Sequence, residues 1–468
     1  MDHTNPVEPD NSHMNRTAET ITLIGAGLNG PLLATSLKKR GFHVEIYERR
    51  PDMRKVRISA GRSINLALST RGIHALAQAN LWEAMRPIII PMKGRMMHSA
   101  AGEITFQPYG KDESEVINSI SRAELNIALL NAAEAAGVTI HFQQRCTGFD
   151  PTTGAIELRD ERSGAATIVK SGVVIGCDGS ASAIRSEMLK MSRFNFSQRY
   201  LDYGYKELTI PASTAGTHLL ETHALHIWPR GNYMLIALPN IDGTFACILF
   251  LPFEGAESVA RLTTHADVLD FFESRFRDAL RLMPQLPDNY FANPTGAMVT
   301  IKCSPWHVEG KWLLLGDAAH AIVPFFGQGL NCGFEDCTCL LELTDRYGAD
   351  WPRVFKEFEE QRKVNTDAIA DMAIENFVEM RDRVADPRFL FRKKVELTLE
   401  AKYPLQFVPK YAMVTFHRVP YSVALARGVI QEGILAELCD PIRRIEDLDW
   451  TKADRLIRSE LSALEQVS

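Results

Sequence analysis

Ile21-Thr-Leu-Ile24-Gly25-Ala-Gly27-Leu-Asn-Gly30 is the stretch whose reading decides the fold. A short apolar strand runs straight into three glycines, and a helix-length segment, Pro31 to Arg40, follows them. Gly41 closes that segment, as expected where a helix stop needs a left-handed residue. Phe42-His-Val44-Glu-Ile46-Tyr-Glu48 then alternates apolar and polar side chains, with Phe42, Val44 and Ile46 on one face of a second strand. Together these segments predict a βαβ unit.

The glycines match a dinucleotide fingerprint. Gly25 permits the tight turn, Gly27 lets the backbone approach a pyrophosphate, and Gly30 lets helix and strand pack closely. The helix N-terminus then faces the anion. Three glycines at this spacing arise by chance in about one such chain in ten, so the context has to decide. Here the strand before, the helix after and an acid closing the second strand all agree. Glu48 lies where a carboxylate takes ribose hydroxyls.

Outward from this unit, Arg122 to Gly137 reads as a helix and Val138–Phe142 as a strand. Val173–Gly176 and Trp312–Leu315 read as further short buried strands. Residues 195 to 300 change character, with β-branched and aromatic runs at Ala224–Trp228, Tyr233–Leu238 and Thr244–Leu251, and predict a mostly antiparallel sheet in a separate layer. Beyond about 350 the pattern is helical and charged. Residues 1–19 are polar, with no apolar signal core, and are expected to form a disordered tail.

Composition narrows the function classes. In 468 residues, 58 acidic against 52 basic side chains leave a net charge of -6, so no excess positive charge favours nucleic acid. Eight scattered cysteines suit free thiols in a reducing compartment, and a cytoplasmic protein is expected. Cys337-Thr-Cys339 has no second pair at metal-ligand spacing, so no metal site is assigned. No stretch approaches the ~20 apolar residues of a membrane span, and the polar end Leu461–Ser468 predicts no membrane anchor. Oligomeric state has no signature.

Two later strand ends choose between dinucleotides. Val174-Ile-Gly-Cys177-Asp178-Gly179 and Leu315-Gly316-Asp317-Ala-Ala-His320 resemble the paired signatures of the FAD-dependent aromatic hydroxylases. The resemblance implies that Asp317 binds a ribityl hydroxyl and that Gly316 lets the chain approach the flavin. It also implies that Asp178 and Gly179 serve flavin and nicotinamide binding. Pro324-Phe-Phe-Gly327-Gln328-Gly329-Leu-Asn331 would bring backbone N–H groups to the isoalloxazine.

Three longer strings resemble the kynurenine 3-monooxygenase family within that group. They are Gly61-Arg-Ser-Ile-Asn65-Leu-Ala-Leu-Ser69-Thr-Arg71-Gly72, Ile120-Ser-Arg122-Ala-Glu-Leu125, and Ala319 to Asp336. The resemblance covers about residues 20 to 420. It implies that Arg122 lies against FAD, and that Arg95, Tyr109 and Tyr411 bind the substrate carboxylate. It further implies that Phe325 packs on the substrate ring, and that Asn376, Glu379 and Met380 form a helical substrate-facing triple. Phe326 stands where some relatives carry His. Without the resemblance, Arg95 reads as a surface arginine and Met380 as helix core.

These strings imply a Rossmann-like α/β fold: an FAD-binding domain over 20–92, 110–192 and 301–345, an inserted mostly antiparallel substrate sheet over 93–109 and 193–300, and a C-terminal helical region over 346–468. The implied activity is hydroxylation of L-kynurenine to 3-hydroxykynurenine, with FAD held non-covalently and NADPH and O2 as co-substrates. NADPH has no second Rossmann motif and is expected to dock transiently. The resemblance places the oxygen chemistry on the flavin, so no side chain is assigned as catalytic acid or base. Two other readings stay open: a hydroxylase of another aromatic acid, and a non-catalytic binding protein on the same fold. Arg95, Tyr109 and Tyr411 together argue against the first, and intact Asp178-Gly179 and Gly316-Asp317 against the second.

Overall fold

A computed structural model describes residues 20–56, 65–150, 152–382 and 386–464. The expected tail at 1–19 and the first residues of the Gly61 string lie outside them. A six-stranded sheet holds Thr20–Ile24 near its centre. Its order is His307–Val308, Trp312–Leu314, Val173–Gly176, Thr20–Ile24, His43–Glu48 and Thr139–Phe142. All neighbours are parallel except the short edge pair His307–Val308 and Trp312–Leu314. Parallel strands are buried on both faces, which is why Ile21, Leu23, Val44, Ile46, Val173, Ile175, Leu313 and Leu314 are all fully enclosed.

This strand order places the motifs. Leu314 pairs with Gly176, Gly176 with Ile24, and Ile24 with Tyr47. The carboxyl ends of four adjacent strands therefore release Gly316-Asp317, Asp178-Gly179, Gly25 to Gly30 and Glu48 along one edge of the sheet. That edge is the crevice in which open α/β sheets bind ligands. Helix Asn29–Lys39 follows the glycine loop with eight buried residues against the sheet.

A seven-stranded sheet forms the second layer, in the order Thr295–Ser304, Asn195–Ile210, Phe245–Pro252, Met234–Pro239, Ala224–Pro229, Gly94–His98 and Ile104–Pro108. Pairing is antiparallel except between Ala224–Pro229 and Gly94–His98. Side chains alternate between its faces. Leu235, Ala237, Leu249 and Leu251 pack on one side, in a cluster with Val268, Phe272 and Phe276. Leu225, Met234, Ile236, Leu238, Ile248 and Phe250 stand on the other side and line a cavity.

Two three-stranded sheets complete the β structure of the described residues: Gln144–Asp150, Ala155–Asp160 and Ala166–Lys170, and Asn65–Leu68, Ile117–Ser121 and Ile89–Met92. The mostly antiparallel sheet expected over 195 to 300 is present, with helices His265–Arg275, Arg277–Leu280 and Leu286–Ala292 set between its strands. Thr264 and Asp267 form a reciprocal capping box, and Val268 and Phe272, four residues apart, bury one helical face on the sheet. Helices Trp351–Asp382, Pro387–Lys402, Lys410–Thr415, Tyr421–Cys439 and Trp450–Glu460 form the C-terminal region. Among the described residues, no helix is long and apolar enough to cross a membrane.

Candidate functional site

A cavity of about 810 Å³ runs from the strand ends of the first sheet to the apolar face of the second. At one end stand Gly25, Gly27, Glu48, Arg122, Asp178, Gly179 and Asp317; at the other, Arg95, Tyr109, Phe325, Phe326 and Tyr411. Pro324, Gly327 and Gly329 line it as well. The sheet side chains named above form the apolar wall.

At the dinucleotide end, each glycine has a distinct reason. Gly25 has φ +106°, and a Cβ there would lie 2.6 Å from the Cys177 carbonyl oxygen. A Cβ on Gly30 would lie 2.1 Å from the Gly25 oxygen. Gly27 has open space around its Cβ position and faces the cavity. The helix that follows has no side-chain cap and no acid in its first turn, so its N-terminal N–H groups and positive dipole end remain available to an anion. Asn126 steadies the loop by donating to the carbonyls of Ala26 and Gly27, at 3.1 and 2.9 Å.

Glu48 is buried and accepts from the Ala26 amide at 2.7 Å and from Arg50 Nε at 2.9 Å. Burial alone would raise its pKa, but the Arg50 and Ala26 donors outweigh that and hold it below the usual carboxylate range. Asp178 differs. One oxygen accepts from the Ala183 amide at 2.7 Å, while Oδ1 is buried with no partner. Burial pushes this carboxyl up. Asp317 is exposed to the cavity; the protein around it raises its pKa, with Arg122 opposing.

A dinucleotide flavin fits this donor set. The glycine loop and bare helix start suit a pyrophosphate, Glu48 suits a ribose diol, and the unsatisfied Asp178 oxygen awaits a hydroxyl or N–H donor. Four residues of the cofactor reading do not line the cavity. Gly30 packs on Gly25, and the Gly316 amide donates to Asp336 at 3.1 Å. Gln328 accepts from the Tyr421 hydroxyl at 2.8 Å. Asn331 donates to Ala67 and Gly327 carbonyls at 2.8 and 2.9 Å. The side chains of Gln328 and Asn331 thus fix the shape of the loop that Gly327 and Gly329 present to the cavity.

At the other end the Arg95 guanidinium lies 4.9 Å from the Tyr411 ring centre and 5.4 Å from that of Tyr109. The two rings are nearly parallel at 6.1 Å. Burial works against the Arg95 charge, but Tyr411, Tyr109 and Glu379 outweigh it and lift its pKa above the ordinary arginine value. Its Nε is buried without a partner, a donor held ready for an incoming acceptor. Burial likewise pushes the Tyr109 hydroxyl up, so it stays protonated and able to donate. Phe326 stacks on Tyr411 at 5.4 Å, and Phe325 on Phe377 at 4.2 Å.

Asn376 does not line the cavity; it donates to the Phe325 carbonyl at 2.7 Å. Glu379 lies off the wall too, close enough to Arg95 to act on its charge. The Met380 side chain lies outside the described part.

A buried ionic network lies behind the flavin loop. Arg362 pairs with Glu335 and Asp336, each at 2.7 Å, His320 with Asp336 at 2.6 Å, and Arg71 with Glu335. Burial would lower the His320 pKa, but Asp336 overrides this and pushes it up to about 10. Four of these residues stand in strings quoted above, yet only the fold shows that they meet.

Comparison with known proteins agrees with this fold. A family model described as FAD binding domain matches residues 18–344. The kynurenine 3-monooxygenase of Myxococcus xanthus is 54% identical over 95% of this chain and 96% of its own length. That of Flavobacterium johnsoniae is 46% identical over 90% of this chain and 94% of its own length. Among solved structures, the tetrameric form of 2-methyl-3-hydroxypyridine-5-carboxylic acid oxygenase superposes with a TM-score of 0.61 at 19% identity, covering 80% of this chain and 95% of that one. HpxO of Klebsiella pneumoniae, complexed with FAD and uric acid, superposes with a TM-score of 0.64 at 21% identity, covering 81% of this chain and 92% of that one. These structures share the fold, and the sequence relatives are nearer, so the chain belongs to the kynurenine 3-monooxygenase family of FAD-dependent aromatic hydroxylases.

Proposed function

We propose that this protein hydroxylates the ring of L-kynurenine beside its amino group, consuming NADPH and O2. The observation that carries the reading is one cavity with Arg95, Tyr109 and Tyr411 at one end and the dinucleotide motifs at the other. Bound FAD supplies the electron transfer and oxygen activation. The Arg95 fork and the two tyrosine hydroxyls bind the amino-acid carboxylate with charge-assisted bonds, at a small cost in side-chain entropy. The wall of Phe325, Phe326, Phe250, Ile236 and Met234 takes the ring and keeps water from the reacting end. Anchoring the carboxylate at Arg95 sets how far along the cavity the ring reaches, and so which ring carbon faces the flavin end. The ring's own amino group activates that carbon, so no protein base is required for the attack. We also infer a cytoplasmic location, which the eight free thiols support.

Ring positioning is tested at Phe325. Its ring packs on Phe377 at 4.2 Å and Phe250 at 4.9 Å, and its carbonyl accepts from Asn376. Phe325→Ala should let the substrate ring shift away from near-attack geometry, about 3–3.5 Å between reacting atoms, and admit water. Kynurenine should still bind and still stimulate NADPH oxidation. The ratio of hydroxylated product to NADPH consumed should fall severalfold while hydrogen peroxide rises. A ratio held at the wild-type level while both rates drop together would remove Phe325 from ring positioning.

A further inference from the structure

Arg71 is 1% exposed and does not line the cavity, yet it joins both ends of the site. It stands in helix Thr70–Gln78, just after the strand Asn65–Leu68 whose residues Asn65, Leu66 and Ala67 line the cavity. Its guanidinium donates through Nη1 to Glu335, through Nη2 to the Val419 carbonyl, and through Nε to the Val414 carbonyl at 3.4 Å. Its Cζ lies 4.0 Å from the Tyr421 ring centre, and the Tyr421 hydroxyl donates to Gln328 at 2.8 Å. Gln328 sits between Gly327 and Gly329 of the flavin-side loop. Val414 is in helix Lys410–Thr415, one turn from Tyr411.

Glu335 has a second cation besides Arg71. Arg362 already pairs with it at 2.7 Å. What Arg71 alone supplies is a rigid fork whose remaining donors hold two carbonyls at the ends of the segment 414–419. No other side chain is bonded to these two carbonyls among the described residues. That segment carries Phe416, whose ring meets Tyr411 edge-on at 6.3 Å. Deleting the fork would leave two carbonyls without a donor at 414 and 419, and would remove one tether of the helix that presents Tyr411.

We propose that Arg71 is a positioning residue for substrate binding, fixing Tyr411 in the cavity by clamping segment 414–419 onto Glu335 of helix Gly329–Tyr347, which begins at the flavin-side loop. The inference rests on the reading of Tyr411 as a carboxylate-binding residue for L-kynurenine.

The test is a double-mutant cycle on the holoenzyme with Arg71→Met and Tyr411→Phe. The dissociation constant of L-kynurenine is read from the perturbation of flavin absorbance. Arg71→Met should raise it about 10-fold in the wild-type background and less than about 2-fold in the Tyr411→Phe background, because a residue acting through Tyr411 has little left to act on. Arg71→Lys, which keeps the charge and one donor direction, should recover part of the affinity. Additive effects would overturn the proposal, as would an unchanged dissociation constant with only a lowered melting temperature. If Arg71→Met does not retain flavin, the same cycle with Arg71→Lys decides; loss of the fold in both assigns Arg71 to stability alone and overturns the proposal. Failure of the wild-type enzyme to bind L-kynurenine would instead contradict the substrate reading, which keeps the two failures distinct.

Discussion

Gly27→Val is expected to yield a folded protein that holds no FAD. The space around a Cβ at Gly27 is open, and its backbone is outside the left-handed region, so the chain alone tolerates a side chain there. The valine methyls would occupy the place a pyrophosphate needs beside the bare start of helix Asn29–Lys39. Losing that close approach should weaken FAD binding by at least about 100-fold, which is about 2.7 kcal/mol. The flavin-to-protein absorbance ratio should fall to background while the melting temperature matches that of wild-type protein stripped of FAD, since only ligand stabilisation is lost. Gly30→Ala makes the contrast: its Cβ would meet the Gly25 oxygen at 2.1 Å, so it should damage the fold itself. Full flavin content in Gly27→Val would contradict the placement of the pyrophosphate.

Arg95→Met should act at the other end of the cavity and leave FAD in place. The substitution keeps much of the apolar stem and removes a guanidinium packed beside Tyr109 and Tyr411. A charge-assisted bidentate bond removed from a desolvated carboxylate costs a few kcal/mol, so the affinity for L-kynurenine should fall roughly 100-fold. Glu379 loses one neighbouring cation but keeps Lys393, whose own charge it supports, so the loss should fall on binding more than on stability. The measurement is a titration of flavin absorbance with L-kynurenine. An unchanged dissociation constant would take Arg95 out of the substrate site.

The dinucleotide half of the site could be read from the sequence because its chemistry is local. A tight turn, a close backbone approach and an acid at the next strand end are each set by one residue at a fixed offset, and the strand order then brings Gly25, Glu48, Asp178 and Asp317 to one edge. The substrate half is less legible. Met234, Ile236, Ile248 and Phe250 alternate as any half-buried strand does, and nothing in that pattern separates the face that lines a chamber from the face that packs on a helix layer. The helix at 265–275 carries a weak signal, Thr264 with Asp267 three residues on, set among β-rich runs. Gln328 and Asn331 show a limit of another kind. A shared string identifies which residues stand in a loop, but only the structure distinguishes those that face the cavity from those that hold the loop in shape. Arg71 lies in such a string too, and its partners at 335, 414 and 419 are far away in sequence.

The most direct measurement follows oxygen into the product. The holoenzyme, supplied with NADPH and L-kynurenine under heavy-isotope dioxygen, should consume NADPH much faster with L-kynurenine than without it. It should release 3-hydroxykynurenine bearing one heavy oxygen atom on the ring. NADPH oxidation indifferent to L-kynurenine, or a product whose added oxygen comes from water, would contradict the account.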